Sequence, residues 1–235
     1  MSAVDSSNEQ LFEPEMIIIP AGWFPMGGNE HASNESPVHQ IWLSAFQLAI
    51  YPVTRGEYLR FLDATGHLPP PYWEEPKFQL PDQPVVGTSW YDAIAYCNWM
   101  ASESRKGYRL PSEAEREKAA QGGKADQDYP FGDSLPVDCR GGRDTELKPV
   151  GSEGPNGYGL FNMSEGVHEW CADWFQADYY VESPVKNPKG PECGERRAAR
   201  GGSWRHRVRY ARCAARSALA PDRTFTDFGF RCALS

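Results

Sequence analysis

Asn156-Gly157-Tyr158-Gly159-Leu160-Phe161-Asn162-Met163, running on through Ser164-Glu165-Gly166-Val167-His168 to Glu169-Trp170, is the stretch on which the fold turns. It is dense in glycine and aromatic residues and carries no helical periodicity, so it reads as a loop held down by packing of its rings. From Tyr129 to the end the chain keeps this character, with short possible strands and turns.

Composition agrees. The 235 residues include 22 Gly, 20 Pro and 8 Trp, a mixture that favours turns and aromatic packing over a helical bundle. Hydrophobic residues at 40% and charged residues at 24% are ordinary for one globular domain, and the spread of aromatics argues against disorder. The net charge of −8 and the absence of any long apolar run exclude nucleic acid and membrane as expected partners. Without a leader-like N-terminus, the chain reads as cytoplasmic, as a mature secreted chain also would. Six cysteines at 97, 139, 171, 193, 213 and 232 form no zinc pattern, and most are expected as thiols in a reducing compartment. Charge is uneven: between Arg196 and Arg216 lie Arg200, Arg205, Arg207, Arg209 and Arg212. Such a run can bind an anion. The simpler use, favoured here, is pairing with carboxylates of the acidic remainder.

The first half holds the regular elements. Met16-Ile17-Ile18-Ile19 reads as a buried strand, and Val38 to Ala49 alternates as strands do. Helices are predicted after Thr54, Ser89 and Ser112, the last two with a carboxylate at the fourth position of a capping box. Gly66 and Gly122 stop the first and third. The sum is an α+β domain over residues 16–235 behind a polar tail, 1–15.

Four segments in order carry a resemblance. They are Pro84-Val85-Val86-Gly87-Thr88-Ser89-Trp90-Tyr91-Asp92-Ala93; Tyr108-Arg109-Leu110-Pro111-Ser112-Glu113-Ala114-Glu115; the loop quoted first; and Arg200-Gly201-Gly202-Ser203-Trp204, closed by Gly229-Phe230-Arg231. Together they resemble the formylglycine-generating enzyme (sulfatase-modifying factor) family from about Met16 to Cys232. The resemblance implies a compact C-type-lectin-like fold with little regular secondary structure, and a groove for extended peptide. It implies a copper(I) centre on two cysteines, which oxidises a substrate cysteine with dioxygen; soft thiolates suit that ion.

This chain departs there. The segment Ser203-Trp204-Arg205-His206-Arg207-Val208-Arg209-Tyr210-Ala211-Arg212 contains no cysteine, and His206 aligns with the first catalytic one. Formylglycine synthesis itself is therefore not expected. His168 replaces an aromatic of the same pocket, and Ser203 matches a pocket serine. The pair His168 and His206, helped by an unidentified carboxylate, is a candidate transition-metal site. The resemblance also implies a structural calcium on Asn162 and Glu169 with carbonyls of Glu165 and Val167, and a second near Asp138 and Asp144. Cys97 and Cys232 match a bonded pair of secreted members, whereas Cys213, whose partner aligns with Ala120, is expected as a free thiol. Asp227 with Arg231 is expected to form an ion pair, and Trp170, Trp174 and Trp204 to lie in the core. Two functions follow: an oxygen- and metal-dependent oxidoreductase on a peptide or amino-acid-derived substrate, or a non-catalytic module that keeps the groove for peptide or protein binding; which peptide, protein or small molecule is the partner is left open.

Overall fold

A computed structural model describes residues 12–124, 127–132, 146–206 and 208–235. Three helices start where side chains satisfy the first free backbone N–H groups. Helix α1 (Arg55–Thr65) follows Thr54, α2 (Trp90–Ser104) follows Ser89, and α3 (Glu113–Gln121) follows Ser112. Each has a reciprocal capping box, with Glu57, Asp92 or Glu115 reaching back to the cap residue. The boxes at Ser89 and Ser112 are the ones the sequence announces; that at Thr54 is the addition of Glu57. Gly66 and Gly122 end α1 and α3 in the left-handed region, at φ 69° and 60°. Among the described residues no helix is long and apolar enough to cross a membrane.

The described residues also form nine short strands: β1 (Met16–Ile19), β2 (Gly22–Met26), β3 (His39–Leu43), β4 (Phe46–Ala49), β5 (His168–Trp174), β6 (Arg197–Arg200), β7 (Arg216–Leu219), β8 (Phe228–Gly229) and β9 (Ala233–Leu234). They form a β1-β4-β9 sheet, a β2-β3 hairpin and a four-stranded β7-β6-β5-β8 sheet. In the last, β5 is antiparallel to β6 and parallel to β8, in a register that sets His168 against Phe228 and Glu169 against both Gly229 and Arg200. The chain end is thereby brought to the first residues of β5.

One core packs Tyr58, Phe61, Tyr96, Trp170 and Phe230; another packs the apolar faces of β1 to β4 against Ala114, Ala119 and Ala120 of α3. Trp170 is fully buried, but Trp174 and Trp204 are only partly so, which corrects the expectation of three core tryptophans. Trp174 has the Arg197 guanidinium 3.4 Å from its ring centroid, and Trp204 meets Phe78 edge-on. Such rings keep one face for a neighbour and one for solvent. Cys97 and Cys232 present their sulfurs 3.9 Å apart within the first core.

Helix α3 is buried along nearly its whole length, charged residues included. Glu113 takes a two-point bond from Arg216, at 2.7 and 2.9 Å, and a further contact from Arg200 at 3.1 Å. Glu117 meets Arg200 at 2.7 Å and accepts the Gly27 N–H. Arg212 grips Glu35 at 2.7 and 2.8 Å. Several arginines of the basic segment are thus internal partners of buried carboxylates, since a buried charge persists only when paired. Replacing Arg200 by Met is expected to cost about 3–5 kcal/mol in urea unfolding, because Glu117 loses its guanidinium while staying buried; an unchanged midpoint would show the pair to be structurally idle.

Candidate functional site

The first residue of β5, His168, is 1% exposed. Its backbone N–H bonds the carbonyl of Asp227, and its ring lies 5.0 Å from that of Phe228. After β6 the chain turns through Ser203, Trp204 and Arg205 to His206. That turn is pinned by Trp204 N–H on the Gly166 carbonyl, His206 N–H on the Ser203 carbonyl, and the Trp204 indole on the Thr226 carbonyl, all at 2.9–3.0 Å. The result places His168 Nε2 2.7 Å from His206 Nδ1.

The carboxylate that sequence left unidentified is Asp227. It is buried, accepts the Ser203 hydroxyl at 3.1 Å, and lies 3.5 Å from His206 Nε2 and 3.7 Å from Arg205. One donor atom each from His168, His206 and Asp227 fall within 4.8 Å of one another. Asp227 was expected on Arg231; instead Arg231 is fully buried on Glu169. The parallel pairing of β5 with β8 is what carries Asp227 to the histidines, and no local spacing announces a pairing between segments so far apart in sequence. Ser203 donates to Asp227 rather than to a histidine, so it lacks the serine–imidazole pairing of an activated nucleophile.

Burial, and then the neighbouring His206, push the His168 imidazole down to about 4, so the ring is neutral and its lone pair is available. Its Nδ1 is buried with no well-formed hydrogen bond among the described residues, the Gly201 backbone being the polar group that faces the ring. His206 keeps 39% of its side chain exposed and is the solvent-facing half of the pair. The donor set is two imidazoles and a carboxylate beside solvent, which fits a borderline transition metal with open positions. Cys171, three residues beyond His168, does not join the cluster; its buried thiol faces the Glu169 carbonyl at 3.8 Å.

The calcium expectation does not fit. Glu169 is wholly buried, and its two oxygens take three N–H bonds, from Arg116 Nε at 2.7 Å and from Arg231 Nε and Nη2 at 3.0 and 2.9 Å. Arg116 also donates to the Met163 carbonyl of the same loop, and Asn162 Oδ1 accepts the Gly151 N–H. The Glu165 carboxyl accepts from Ser164, and Val167 is buried in a small apolar cluster. One carboxylate already faces two guanidinium groups there, so a divalent ion would meet net positive charge. The second calcium position, near Asp138 and Asp144, lies outside the described residues. The thermal midpoint is accordingly expected to be the same in millimolar calcium and in chelator; a rise of several degrees with calcium would restore the calcium site.

A profile of the Sulfatase-modifying factor enzyme 1-like domain matches residues 2–235. The chain is 36% identical to the serine/threonine-protein kinase pkn1 of Chlamydia caviae over 93% of its own length, yet it spans only 38% of that relative. With the formylglycine-generating enzyme of Thermomonospora curvata it shares 34% identity, covering 93% of this chain and 92% of that one. The solved structure of PvdO from Pseudomonas aeruginosa superposes with a TM-score of 0.83 at 30% identity, covering 94% of each chain. With a fold and a pocket of this kind, and a match that runs over nearly all of its length, the chain belongs to the sulfatase-modifying factor (formylglycine-generating enzyme) family.

Proposed function

We propose that His168, His206 and Asp227 hold a redox-active transition metal, and that the protein is an oxygen-dependent oxidoreductase acting on a peptide or amino-acid-derived substrate. The observation that carries this is the convergence of three donor atoms within 4.8 Å, one from each of three separate chain segments. Two imidazoles and one carboxylate leave coordination positions open, and iron in such a set supplies chemistry with dioxygen.

The chain's own residues do the rest. His168 is the fixed ligand: neutral, buried and tied by its backbone to Asp227. The present 2.7 Å between the two ring nitrogens is a hydrogen bond; ligands about 2.1 Å from one ion stand roughly 3 Å or more apart. A bound ion would need His206 to stand slightly farther from His168 than it does now, which its exposure permits. Asp227 would offer the anionic donor, and the Ser203 hydroxyl, on the same Oδ2 that faces His206, helps to orient it. A reducing, cytoplasmic setting belongs to the same reading and is in keeping with the five described cysteines, all of which are thiols.

A second reading has its own support. Ser203, Asp227, His206 and His168 already form a continuous polar chain without an ion, as a non-catalytic module that binds peptide or protein in the groove would keep it. The two separate by titration with cobalt(II) and iron(II). Wild type is expected to take up one equivalent, and His168→Ala or Asp227→Ala to weaken binding at least about tenfold. The iron-loaded wild type is expected to consume oxygen in the presence of ascorbate well above His168→Ala. Equal metal uptake by wild type and both variants would remove the metal and leave the binding module.

A further inference from the structure

Strand β5 ends at a second concavity. Asp173 lies five residues beyond His168, about 16 Å along an extended strand, so the two sites do not overlap. A cavity of about 430 Å³ opens there between the β3–β4 turn, α2, the start of α3 and the segment around Asn187. That volume suits a small ligand, and Leu43, Phe46, Ile94, Leu110 and Ala172 give it apolar walls.

The polar groups in this cavity are not equivalent. Arg109 is committed to Glu115 through a two-point bond at 2.7 and 2.8 Å, which neutralises both. Lys189 is exposed and screened by solvent. Asp173 is different. It is 4% exposed, and only its Oδ2 is engaged, accepting the Glu113 N–H at 2.8 Å. Its Oδ1 has no hydrogen-bond partner among the described residues. That oxygen is not sealed off from solvent, and on a side chain that lines the cavity it can take a ligand N–H group in place of water.

We propose that this cavity binds a small organic ammonium with an apolar body, the ammonium donating to Asp173 Oδ1 and the body packing between Phe46, Ile94 and Ala172. The site is independent of the metal reading and stands or falls apart from it.

The surroundings of Asp173 predict how binding depends on pH. Burial, with Glu113 and then Glu115 nearby, pushes its carboxyl up to about 8, while the Glu113 N–H and Arg200 pull the other way. Glu113 is itself held by Arg216 and Arg200; Arg197, Tyr179 and Cys171 also face Asp173, and Glu115, Arg109 and Lys189 are the other charged side chains on the cavity wall. Below that value the carboxyl carries a proton which an ammonium must displace, so affinity rises with pH up to about 8 and then levels. The amine, of ordinary lysine-like basicity near 10, stays charged throughout.

Isothermal titration calorimetry with phenethylamine, with phenylacetate as the anionic counterpart, tests this. Phenethylamine is expected to bind at pH 8 at millimolar concentrations or below, with release of a proton at pH 7, and to weaken roughly tenfold from pH 7.5 to 6.5. Phenylacetate is expected to bind at least about tenfold more weakly. Asp173→Asn keeps an oxygen for the Glu113 N–H and is expected to lose at least about tenfold in affinity, and Ala172→Leu, which fills the cavity, to lose as much. No binding of phenethylamine at pH 8, equal binding by the two probes, or unchanged affinity in the Ala172→Leu protein would each overturn the proposal.

Discussion

Everything around the candidate site depends on one buried carboxylate. Glu169 is closed off from solvent and held by Arg116 of α3 on one side and Arg231 near the chain end on the other. The two guanidinium groups exceed the charge of the single carboxylate, and backbone carbonyls take up the remainder. Met163 accepts from Arg116, while Ala49, Ile50 and Phe161 accept from Arg231. Bringing these groups out of water is costly, and the arrangement persists because nearly every N–H has an acceptor. One clamp thus joins the loop after β4, the glycine-rich loop, α3, β5 and the C-terminal segment.

Position on the strand turns this structural clamp into a functional one. Neighbours on a strand point to opposite faces, so fixing Glu169 on one face fixes His168 on the other, against Phe228 and His206. The same C-terminal segment that brings Arg231 to Glu169 carries Asp227, whose carbonyl receives the His168 N–H and whose carboxylate faces His206. The third contribution, the turn from Ser203 to His206, hangs from the Gly166 carbonyl of the clamped loop. Ligands from three segments are therefore positioned by a single buried charge cluster, with the second layer, Arg200 and Arg216 on Glu113 and Glu117, holding α3 beneath it.

The helices were legible because their starts are local chemistry. Ser89 with Asp92 and Ser112 with Glu115 announce capping boxes within four residues. The histidines were legible through the family resemblance, which set both in one pocket. What the sequence could not disclose depended on long-range partners. Arg231 has Asp227 four residues before it, and nothing local says that a parallel strand pair sends the carboxylate to His206 and the guanidinium to Glu169. The misfit of the calcium expectation has a related reason. Asn162 and Glu169 have oxygen donors at the right spacing, but the arginine that occupies Glu169 comes from α3, 53 residues away in sequence. Asp173 drew no attention at all, since its significance comes from burial beside α3 and an open cavity.

The central claim is that the cleft offers two imidazoles and one carboxylate to a single ion. X-ray absorption on the iron(II)- or cobalt(II)-loaded protein addresses it at the level of bonds. The account expects a shell of light donors near 2.1 Å with the multiple-scattering signature of about two histidines, reduced to about one in His206→Ala. A spectrum of oxygen donors alone, unaltered by that substitution, would contradict it.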